Sequence, residues 1–526
     1  MSVSLCKETI AVQTSCSQRW NPRVNTIAVE LLSLILHFTR GDEEELDPKR
    51  SYAQNMTLVR LSSVCSHWRQ TAIGDGTLWR NIAFSPSLTP TIECATEFLE
   101  RSRAASLTLA IWSDGTSDTV AENPAADYLL ERLAQGVNRI TTLVALNPPG
   151  GIVRALECPA QNLDYLSVQI DDSGEIPSLF GGVMPNLGIL SISNPSGWKA
   201  AQFRHLHTVH ISATSWRPWR MSTLLDCLDG NVALVELHLA CFEDFEFEPA
   251  ADAERTVVIS SLIVLRLTYC CSALILNHLD VPRSTALSIY SYCRDSDEIF
   301  ACFPKSPRFL GMPEKVQLLT VILDVEKQVF EVEITGPEDV HILLGAVPRL
   351  GRFERKWVLR SMTAVARFTP ASGVRWLTMV IDEHRMPWKV WLSKFTQLST
   401  LEVRCPDPEE LLSALVVSDR NTGNIVCPLL RSLSLERSRR PSAGTSILRD
   451  FLAARASTGN AISQLNLNEL DWSAVATSEL KAWEELINRT RLDGRSVLLK
   501  KFVLVDQNTA VTIGSFARRE GLLISP

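Results

Sequence analysis

Long hydrophobic runs are missing from this 526-residue sequence. A membrane-spanning helix needs roughly 18 or more consecutive apolar residues, and the longest candidate, Leu31 to Phe38, is interrupted by Ser33 and His37. The first residues, Met1 to Glu8, place an acid where a signal peptide has an apolar segment. These absences predict a soluble protein of the cytoplasm or the nucleus that has no membrane partner.

The sequence also lacks an excess of positive charge and a framework of paired cysteines. Its 52 basic and 59 acidic side chains give a formal net charge of −7, which offers no general attraction to nucleic-acid phosphates. The 13 cysteines form no CxxC pair, and Cys270-Cys271 is the only adjacent pair. This odd, scattered set favours a reducing compartment over secretion, and we expect no nucleic-acid partner.

Signatures of catalysis are absent as well: the sequence has no phosphate loop, no GxSxG nucleophile elbow and no HExxH zinc motif. His205, His207 and His210 form a cluster, but on one strand they do not all converge, and no further donor lies nearby. We therefore expect no enzyme, no catalytic residue, no cofactor and no metal. A hydrolase site within residues 290–375 is the enzymatic alternative.

Helical periodicity begins after a polar, aperiodic segment, residues 1–20, which we interpret as a disordered tail. Apolar residues then form a broad helical stripe at Ile27, Leu31, Leu32, Ile35 and Leu36. Next comes an acidic segment in which Gly41 and Pro48 break the helix. The pattern predicts a first helix that ends before residue 41.

A second periodic stretch follows, with apolar residues at Leu58, Leu61, Val64, Cys65 and Trp68. The turn signal Gly74-Asp75-Gly76 then precedes Leu78-Trp79. Two or three helices this short cannot bury their apolar faces alone. They predict an exposed stripe that another protein covers.

The order and spacing of these residues resemble the F-box, in particular the fungal F-box-like variety with an acidic insertion after the first helix. The resemblance rests on Ile27-Ala28-Val29-Glu30-Leu31-Leu32, then Val64-Cys65-x-x-Trp68-Arg69, then Leu78-Trp79. Many F-boxes open the first helix with proline, whereas Ala28 stands at that position here. Alanine keeps the helix but gives up the fixed entry angle of proline.

This resemblance implies a small helical domain, residues 21–86, that binds a Skp-type adaptor and through it a cullin–RING ubiquitin ligase. The positions that match the adaptor-facing surface and the small core behind it are Ala28, Glu30, Leu31, Leu32, Ile35, Leu36, Val64, Cys65, Trp68, Leu78 and Trp79. The alternative is a helical cap on the rest of the chain that contacts no other protein.

From residue 104 onward the trio Leu-x-x-Leu-x-Leu recurs, with Ile, Val, Ala or Phe tolerated. Central positions 166, 190, 209, 237 and 265 lie 24, 19, 28 and 28 residues apart, close to the roughly 20–29 residues of a leucine-rich repeat. The last two residues of each trio point to one face of a short strand. The ten trios are Ala104/Leu107/Leu109, Leu163/Leu166/Val168, Leu187/Leu190/Ile192, Leu206/Val209/Ile211, Leu234/Leu237/Leu239, Leu262/Leu265/Leu267, Leu398/Leu401/Val403, Leu430/Leu433/Leu435, Ile462/Leu465/Leu467 and Leu499/Phe502/Leu504.

Helix-like segments such as Met221 to Leu228 and Ser446 to Ala454 separate the predicted strands. Alternating strand and helix predict an α/β fold: an irregular leucine-rich-repeat-like solenoid over residues 87–526 with a parallel sheet. An α/β domain with buried strands is the alternative.

The period is lost over residues 290–375. Leu318 to Ile322 and Val329 to Ile334 still predict strands there, and the second alternates cleanly between apolar and polar residues. The second segment is either a hairpin or a loop inserted on the binding side, and the sequence leaves both open.

The segment Trp216-Arg217-Pro218-Trp219-Arg220 combines two aromatic rings with fixed cations just after a predicted strand. Tryptophan and arginine dominate interaction hot spots, so Trp216, Trp219 and Arg220 are candidate target contacts, with buried core tryptophans as the alternative. The sequence thus predicts a non-catalytic substrate receptor of a Skp–cullin–F-box ubiquitin ligase, which directs a target protein to ubiquitin-dependent degradation. An interaction scaffold without ligase association is the competing prediction.

Overall fold

The structure is a computed structural model, and it describes most of the chain between residues 27 and 468. The predicted tail (residues 1–20), the loop with Trp216, Trp219 and Arg220, Cys270-Cys271 and the trio Leu499/Phe502/Leu504 lie outside the described residues. The described residues are 27–39, 47–113, 124–148, 156–169, 179–193, 203–213, 221–241, 255–268, 272–282, 284–293, 318–324, 329–336, 341–348, 358, 360–363, 365, 373–381, 386–406, 408–416, 425–437 and 445–468.

The first helices are short and have recognisable start signals. Asp47 caps the second helix, since its Oδ1 accepts a hydrogen bond from the Arg50 N–H at 2.8 Å, and Pro48 occupies the first helical position. The helices with described bounds are α1 Val29–Phe38, α2 Pro48–Ser62, α3 Ser66–Gly74, α4 Thr89–Arg101, α5 Pro124–Gln135, α6 Met221–Asp229, α7 Ser272–Asn277, α8 Trp388–Leu392, α9 Pro408–Val416 and α10 Thr445–Ser457. Short 3₁₀ turns at Gly76–Trp79 and Val137–Arg139 precede β-strands.

Eighteen strands have described bounds. They are β1 Asn81–Phe84, β2 Leu107–Trp112, β3 Ile140–Leu146, β4 Tyr165–Gln169, β5 Ile189–Ser193, β6 Thr208–Ala213, β7 Glu236–Cys241, β8 Val257–Val258, β9 Val264–Thr268, β10 Leu279–Asp280, β11 Ala286–Cys293, β12 Leu318–Asp324, β13 Val329–Thr335, β14 His341–Pro348, β15 Trp376–Ile381, β16 Thr400–Cys405, β17 Ser432–Arg437 and β18 Gln464–Asn468. The two-residue strands β8 and β10 pair with each other and lie outside the main sheet.

The other strands form one 16-stranded sheet whose spatial order largely follows the chain. The order is β1-β2-β3-β4-β5-β6-β7-β9-β11-β14-β13-β12-β15-β16-β17-β18. Every pairing is parallel except the two that β13 makes, with β12 and with β14. Alternate residues face the helices, so an unbroken row such as Leu166, Leu190, Val209, Leu237 and Leu265 is buried in register.

The strands predicted from the leucine trios are confirmed wherever the trios fall on described residues. In all nine such trios the last two residues lie on a strand of the sheet, and in eight the first residue is buried beside it. The exception is the first residue of the earliest trio, Ala104, which is exposed. The predicted helices at Met221 and Ser446 are present as α6 and α10.

The leucine-rich-repeat solenoid is not what the structure shows: the coarse α/β class with a large sheet stands, but the regular repeat does not. After β11 the chain passes over two strand positions of the sheet and forms β12, which pairs with β15. Strand β13 then runs back antiparallel to β12, and β14 takes the position beside β11. A solenoid places each repeat beside the one before it, and this inverted insertion breaks that rule. Of the two alternatives that the sequence left open for Val329 to Ile334, the structure shows the hairpin, in which β13 pairs antiparallel with β12.

The N-terminal helices share one core with the start of the sheet. Leu32, Leu36 and Trp79 belong to the same cluster of contacting buried residues as the inward-facing side chains of the sheet. On the opposite face of β1 and β2, α2 packs through Tyr52, whose ring centroid lies 5.9 Å from that of Trp112. Strand β1 is therefore buried on both sides, and the helices are joined to the sheet by packing as well as by the chain.

Among the described residues, no helix combines the length and the apolar character needed to span a bilayer.

Asn231 stabilises the turn that leads into β7, and its replacement should lower the stability of the protein measurably. Its side chain is fully buried: Oδ1 accepts from the Leu206 N–H at 2.8 Å, and Nδ2 donates to the carbonyls of Phe203 (2.9 Å) and Cys227 (2.6 Å). Asn231→Ala leaves these backbone groups unsatisfied, so we expect the free energy of unfolding, measured in urea, to fall by about 2–3 kcal/mol.

The matched control is Asn186→Ala. This exposed side chain makes a single comparable bond, from Nδ2 to the Gln161 carbonyl at 2.6 Å, so its loss should cost under about 1 kcal/mol. Equal effects of the two substitutions would contradict the role assigned to Asn231.

Candidate functional site

Helix α1 has two apolar faces, and only one of them is covered. Leu32 and Leu36 are buried, with 0% and 1% of their surface exposed. On the other side Leu31 is 58%, Leu34 52% and Phe38 77% exposed. Together with the exposed Ile35 they follow the i, i+3, i+4, i+7 spacing of one helical face. We call Leu31, Leu34, Ile35 and Phe38 the open face of α1.

The first-helix residues that the F-box resemblance assigned to adaptor contact are partly exposed and partly buried in the structure. Leu31 and Ile35 lie on the open face, and Ala28 and Glu30 are exposed at the start of the helix, where Ala28 is the N-cap residue without a side-chain cap. Leu32 and Leu36 face the chain's own core instead. We therefore remove Leu32 and Leu36 from the predicted adaptor contacts, because a side chain that is already fully covered has no surface left for a partner.

Two members of the open face, Leu34 and Phe38, were missed in the sequence. The helix is apolar on most of its circumference, so periodicity alone could not tell the covered face from the open one. The available signal was their spacing: Leu34 and Phe38 follow Leu31 at i+3 and i+7, a second complete stripe.

The remaining marked residues lie behind or beside α1. Val64 is exposed in the turn between α2 and α3, and Cys65 is the half-buried N-cap residue of α3. Trp68 is half-buried, and its indole Nε1 is shielded from solvent without a hydrogen-bond partner among the described residues. Leu78 is buried in the core. The second periodic stretch therefore spans two helices with a break at Ser63 to Cys65.

Trp79 is fully buried where the helices meet the sheet. Its Nε1 donates to the Ala72 carbonyl at 2.7 Å, and its ring packs edge-on against Phe98 with centroids 4.9 Å apart. The guanidinium of Arg101, a residue of α4, lies 4.4 Å from the centroid of the Trp79 ring. Trp79 thus joins α3 to α4, and it belongs to the same buried cluster as Leu32 and Leu36.

Asp75 fixes the orientation of α1. Its Oδ2 accepts from the Ser33 hydroxyl at 2.9 Å and lies 3.0 Å from His37 Nε2, both on α1. Its Oδ1 accepts from the Thr77 N–H at 3.0 Å and from the Thr77 hydroxyl. These bonds join the polar edge of α1 to the turn at Gly76–Trp79, so the helix cannot rotate its open face inward without breaking them.

The turn beside Asp75 favours a glycine. A Cβ at Gly76 would lie 3.1 Å from the Ser102 carbonyl oxygen and 3.3 Å from that of Arg101. Both oxygens belong to backbone that ends α4, which cannot move as a side chain would. The turn signal Gly74-Asp75-Gly76 seen in the sequence therefore marks a close contact between the N-terminal helices and α4.

The structure distributes the three histidines of the cluster between a turn and strand β6. His205 has a positive φ of 68° and is exposed, His207 is exposed before β6, and His210 lies within β6. No group of three or more His, Cys, Asp or Glu side chains suited to a metal ion occurs in the part of the chain that is described.

Comparison with known proteins identifies the N-terminal segment. Residues 29–85 match the F-box-like family, by that description. The matched segment runs from the first residue of α1 to the residue after β1 and contains the open face, Asp75 and Trp79. No curated protein matches the chain. An F-box-like domain therefore stands at the start of a mixed α/β chain that carries a large sheet.

Removal of the Asp75 carboxylate should destabilise this domain in a pH-dependent way. Partial burial alone would raise the pKa of Asp75, but the hydrogen bonds from Thr77, Ser33 and His37 outweigh it and lower the pKa below its ordinary value of 3.8. The stabilisation is therefore complete above that ordinary value and disappears as the pH falls through the lowered pKa.

We expect Asp75→Ala to lower the unfolding free energy by about 1–2 kcal/mol at pH 7. The difference from the wild type should shrink as urea unfolding is repeated toward pH 3. Asp75→Asn, which keeps an acceptor oxygen but loses the charge, should be intermediate. A difference that stays constant from pH 7 to pH 3 would contradict the assignment.

Proposed function

We propose that this protein is a substrate-receptor subunit of a Skp–cullin–F-box type ubiquitin ligase. Its F-box-like domain binds a Skp-type adaptor through the open face of α1, and the large sheet domain binds the protein to be ubiquitinated. The observation that carries the proposal is an apolar helical face, inside the segment that matches the F-box-like family, that the described residues leave exposed. Exposed apolar surface of this kind favours a protein partner.

The divided packing of the helices supports this role. F-box domains bind Skp-type adaptors in cullin ligases, and here one side of α1 is anchored in the core while the other is presented to solvent. Because the same core continues into the first strands of the sheet, the adaptor site and the sheet are held at a set distance. A fixed distance raises the effective concentration of the target near the ligase.

The receptor acts without chemistry of its own in this proposal. It makes and breaks no covalent bond, carries no cofactor, and works in the cytoplasm or the nucleus, where the ligase core is found. Trp216, Trp219 and Arg220, which follow β6 in the sequence, are proposed as target contacts because aromatic and guanidinium side chains form binding hot spots. Binding by the receptor leads to ubiquitin-dependent degradation of the target. A leucine-rich-repeat-like character of the sheet domain, without the solenoid, belongs to the same proposal and is supported by the leucines in register on neighbouring strands.

A second candidate function, an interaction scaffold without ligase association, is favoured by one observation. Tyr52 on α2 packs against Trp112 at the start of the sheet, as it would in a helical cap. A cap of this kind accounts for the covered side of α1 but gives no reason for the exposed Leu31, Leu34 and Phe38. The two functions differ in whether the open face is occupied in a complex.

Charge introduced on the open face separates the two candidates. The double substitution Leu31→Glu/Leu34→Glu places two charges on the open face. Covering each of the original leucines with a partner would contribute about 1–2 kcal/mol to binding. We expect affinity for a recombinant Skp-type adaptor, measured by calorimetry, to fall on the order of 100-fold. The thermal unfolding midpoint should stay close to that of the wild type, because neither side chain belongs to the buried core.

The matched control is Val232→Glu/Ile263→Glu, which places two charges on apolar side chains that are 67% and 58% exposed and lie outside the F-box-like domain. Adaptor affinity should be unaffected by this pair. Equal binding by the open-face variant and the wild type, or no binding by the wild type, would contradict the receptor role and leave the scaffold.

A further inference from the structure

Arginines and serines alternate along the edge of the sheet at which the parallel strands β15 to β18 begin. The residues directly before these four strands are Arg375, Ser399, Arg431 and Ser463. Backbone hydrogen bonds join them in a row: the Arg375 carbonyl accepts from the Ser399 N–H at 2.9 Å, and the Ser399 carbonyl accepts from the Arg431 N–H at 2.8 Å. We call Arg375, Trp376 and Arg431 the basic edge.

The serines of the row fix the backbone of the arginines and take little space. The Ser399 hydroxyl donates to the Arg375 carbonyl at 2.9 Å, and the Ser463 hydroxyl donates to the Arg431 carbonyl at 3.0 Å. Neighbouring strands lie about 4.8 Å apart, so the backbones of the two arginines, on either side of β16, are about 10 Å apart. Only the small side chain of Ser399 stands between them, and both guanidinium groups can therefore reach one ligand.

The fold does not demand arginine at this position of the sheet edge. The residues directly before β4, β5, β6, β7 and β9 are Asp164, Gly188, His207, Val235 and Ile263. A Cβ added at Gly188 would lie 3.1 Å from Asp164 Oδ1, so side chains at neighbouring positions of this row lie side by side. The two arginines before β15 and β17 are thus a local feature, close enough to act together.

The positive charge of the basic edge is not neutralised by the part of the chain that is described. Arg375 and Arg431 are exposed, and neither guanidinium has a hydrogen bond or an ion pair with a described residue. The described turns that lead into the four strands contain no acidic side chain, and Lys394 adds a third cation to them. These turns are residues 373–375, 393–399, 427–431 and 458–463.

The acidic side chains of the neighbouring elements lie away from this edge. Along β15, β16 and β17 the first acid is Glu402, three residues after Ser399, which is about 10 Å along the strand. Glu409 and Glu410 stand in the first turn of α9. Because α9 follows the end of β16, these two carboxylates belong to the opposite edge of the sheet.

Trp376 adds an exposed aromatic ring to the basic edge. It is the first residue of β15 and pairs with Thr400 of β16, while the next residue, Leu377, is buried. Trp376 itself is 46% exposed. Tryptophan and arginine side by side are the residues most enriched at binding hot spots, so this edge combines apolar surface with unpaired charge.

We propose that the basic edge binds an acidic segment of the target protein, in which two carboxylates pair with Arg375 and Arg431 and the aliphatic part of the segment covers Trp376. This inference rests on the proposed function and names the chemistry of the target. Charge complementarity is the argument, since guanidinium groups stay cationic and match carboxylates in a bidentate geometry. Alternate residues of an extended peptide lie about 7 Å apart on one face, a spacing that two flexible arginine side chains can meet.

The test uses the full chain and a capped, fluorescent hexaglutamate peptide at low ionic strength, with hexaglutamine and single-stranded hexathymidylate as comparison probes. Fluorescence anisotropy should show binding of hexaglutamate and not of hexaglutamine. Arg375→Gln/Arg431→Gln should weaken this binding by about tenfold or more, because two charge-assisted pairs are lost. Trp376→Thr, which suits an exposed strand position, should weaken it by about threefold or more.

A charge-matched variant serves as the comparison. Arg132→Gln/Arg204→Gln removes the same charge from two exposed arginines outside the basic edge and should bind hexaglutamate as the wild type does. All of these variants should retain adaptor affinity, so a failure here is distinguishable from a failure of the ligase role.

Four results would overturn the proposal: no binding of hexaglutamate by the wild type, wild-type affinity in either variant of the basic edge, an equal loss in the charge-matched variant, or equally tight binding of hexathymidylate that depends on the same arginines. In the last case the edge would select polyanions in general and not an acidic peptide.

Discussion

The apolar core that Leu32, Leu36 and Trp79 share with the first strands of the sheet sets the orientation of α1. Once those side chains are covered, helical spacing forces Leu31, Leu34 and Phe38 to the opposite side. The bonds of Asp75 to Ser33 and His37 hold that rotation. An apolar face is thereby presented to solvent by the same packing that attaches the F-box-like domain to the sheet.

The strands of the sheet likewise separate buried apolar side chains from polar side chains at the surface. Parallel strands in register place leucines such as Leu237 and Leu265 on the side of the helices, and their neighbours His238 and Arg266 on the other. The buried side gives stability, and the polar side is available for recognition. In the receptor role proposed above, the adaptor binds the open face of α1 by apolar contact, and the target binds the sheet domain.

Much of this organisation was predictable because it depends on local spacing. The leucine trios located strands, and Ile140/Leu143/Ala145 and Val374/Leu377/Met379, which were overlooked, follow the same spacing on β3 and β15. The covered and open faces of α1 were not predictable, since both are apolar and only the tertiary contacts of Leu32 distinguish them. The inverted order of β12 to β14 depends equally on long-range pairing, which no local pattern encodes.

The most direct test of the central claim is hydroxyl-radical footprinting of the full chain with and without a Skp-type adaptor. In the free chain, Leu31, Leu34 and Phe38 should be oxidised readily and Leu32 and Leu36 should not. With adaptor present, protection should appear at Leu31, Leu34 and Phe38, while Val232 and Ile263 stay as reactive as before. Adaptor binding without protection of the open face would contradict the account.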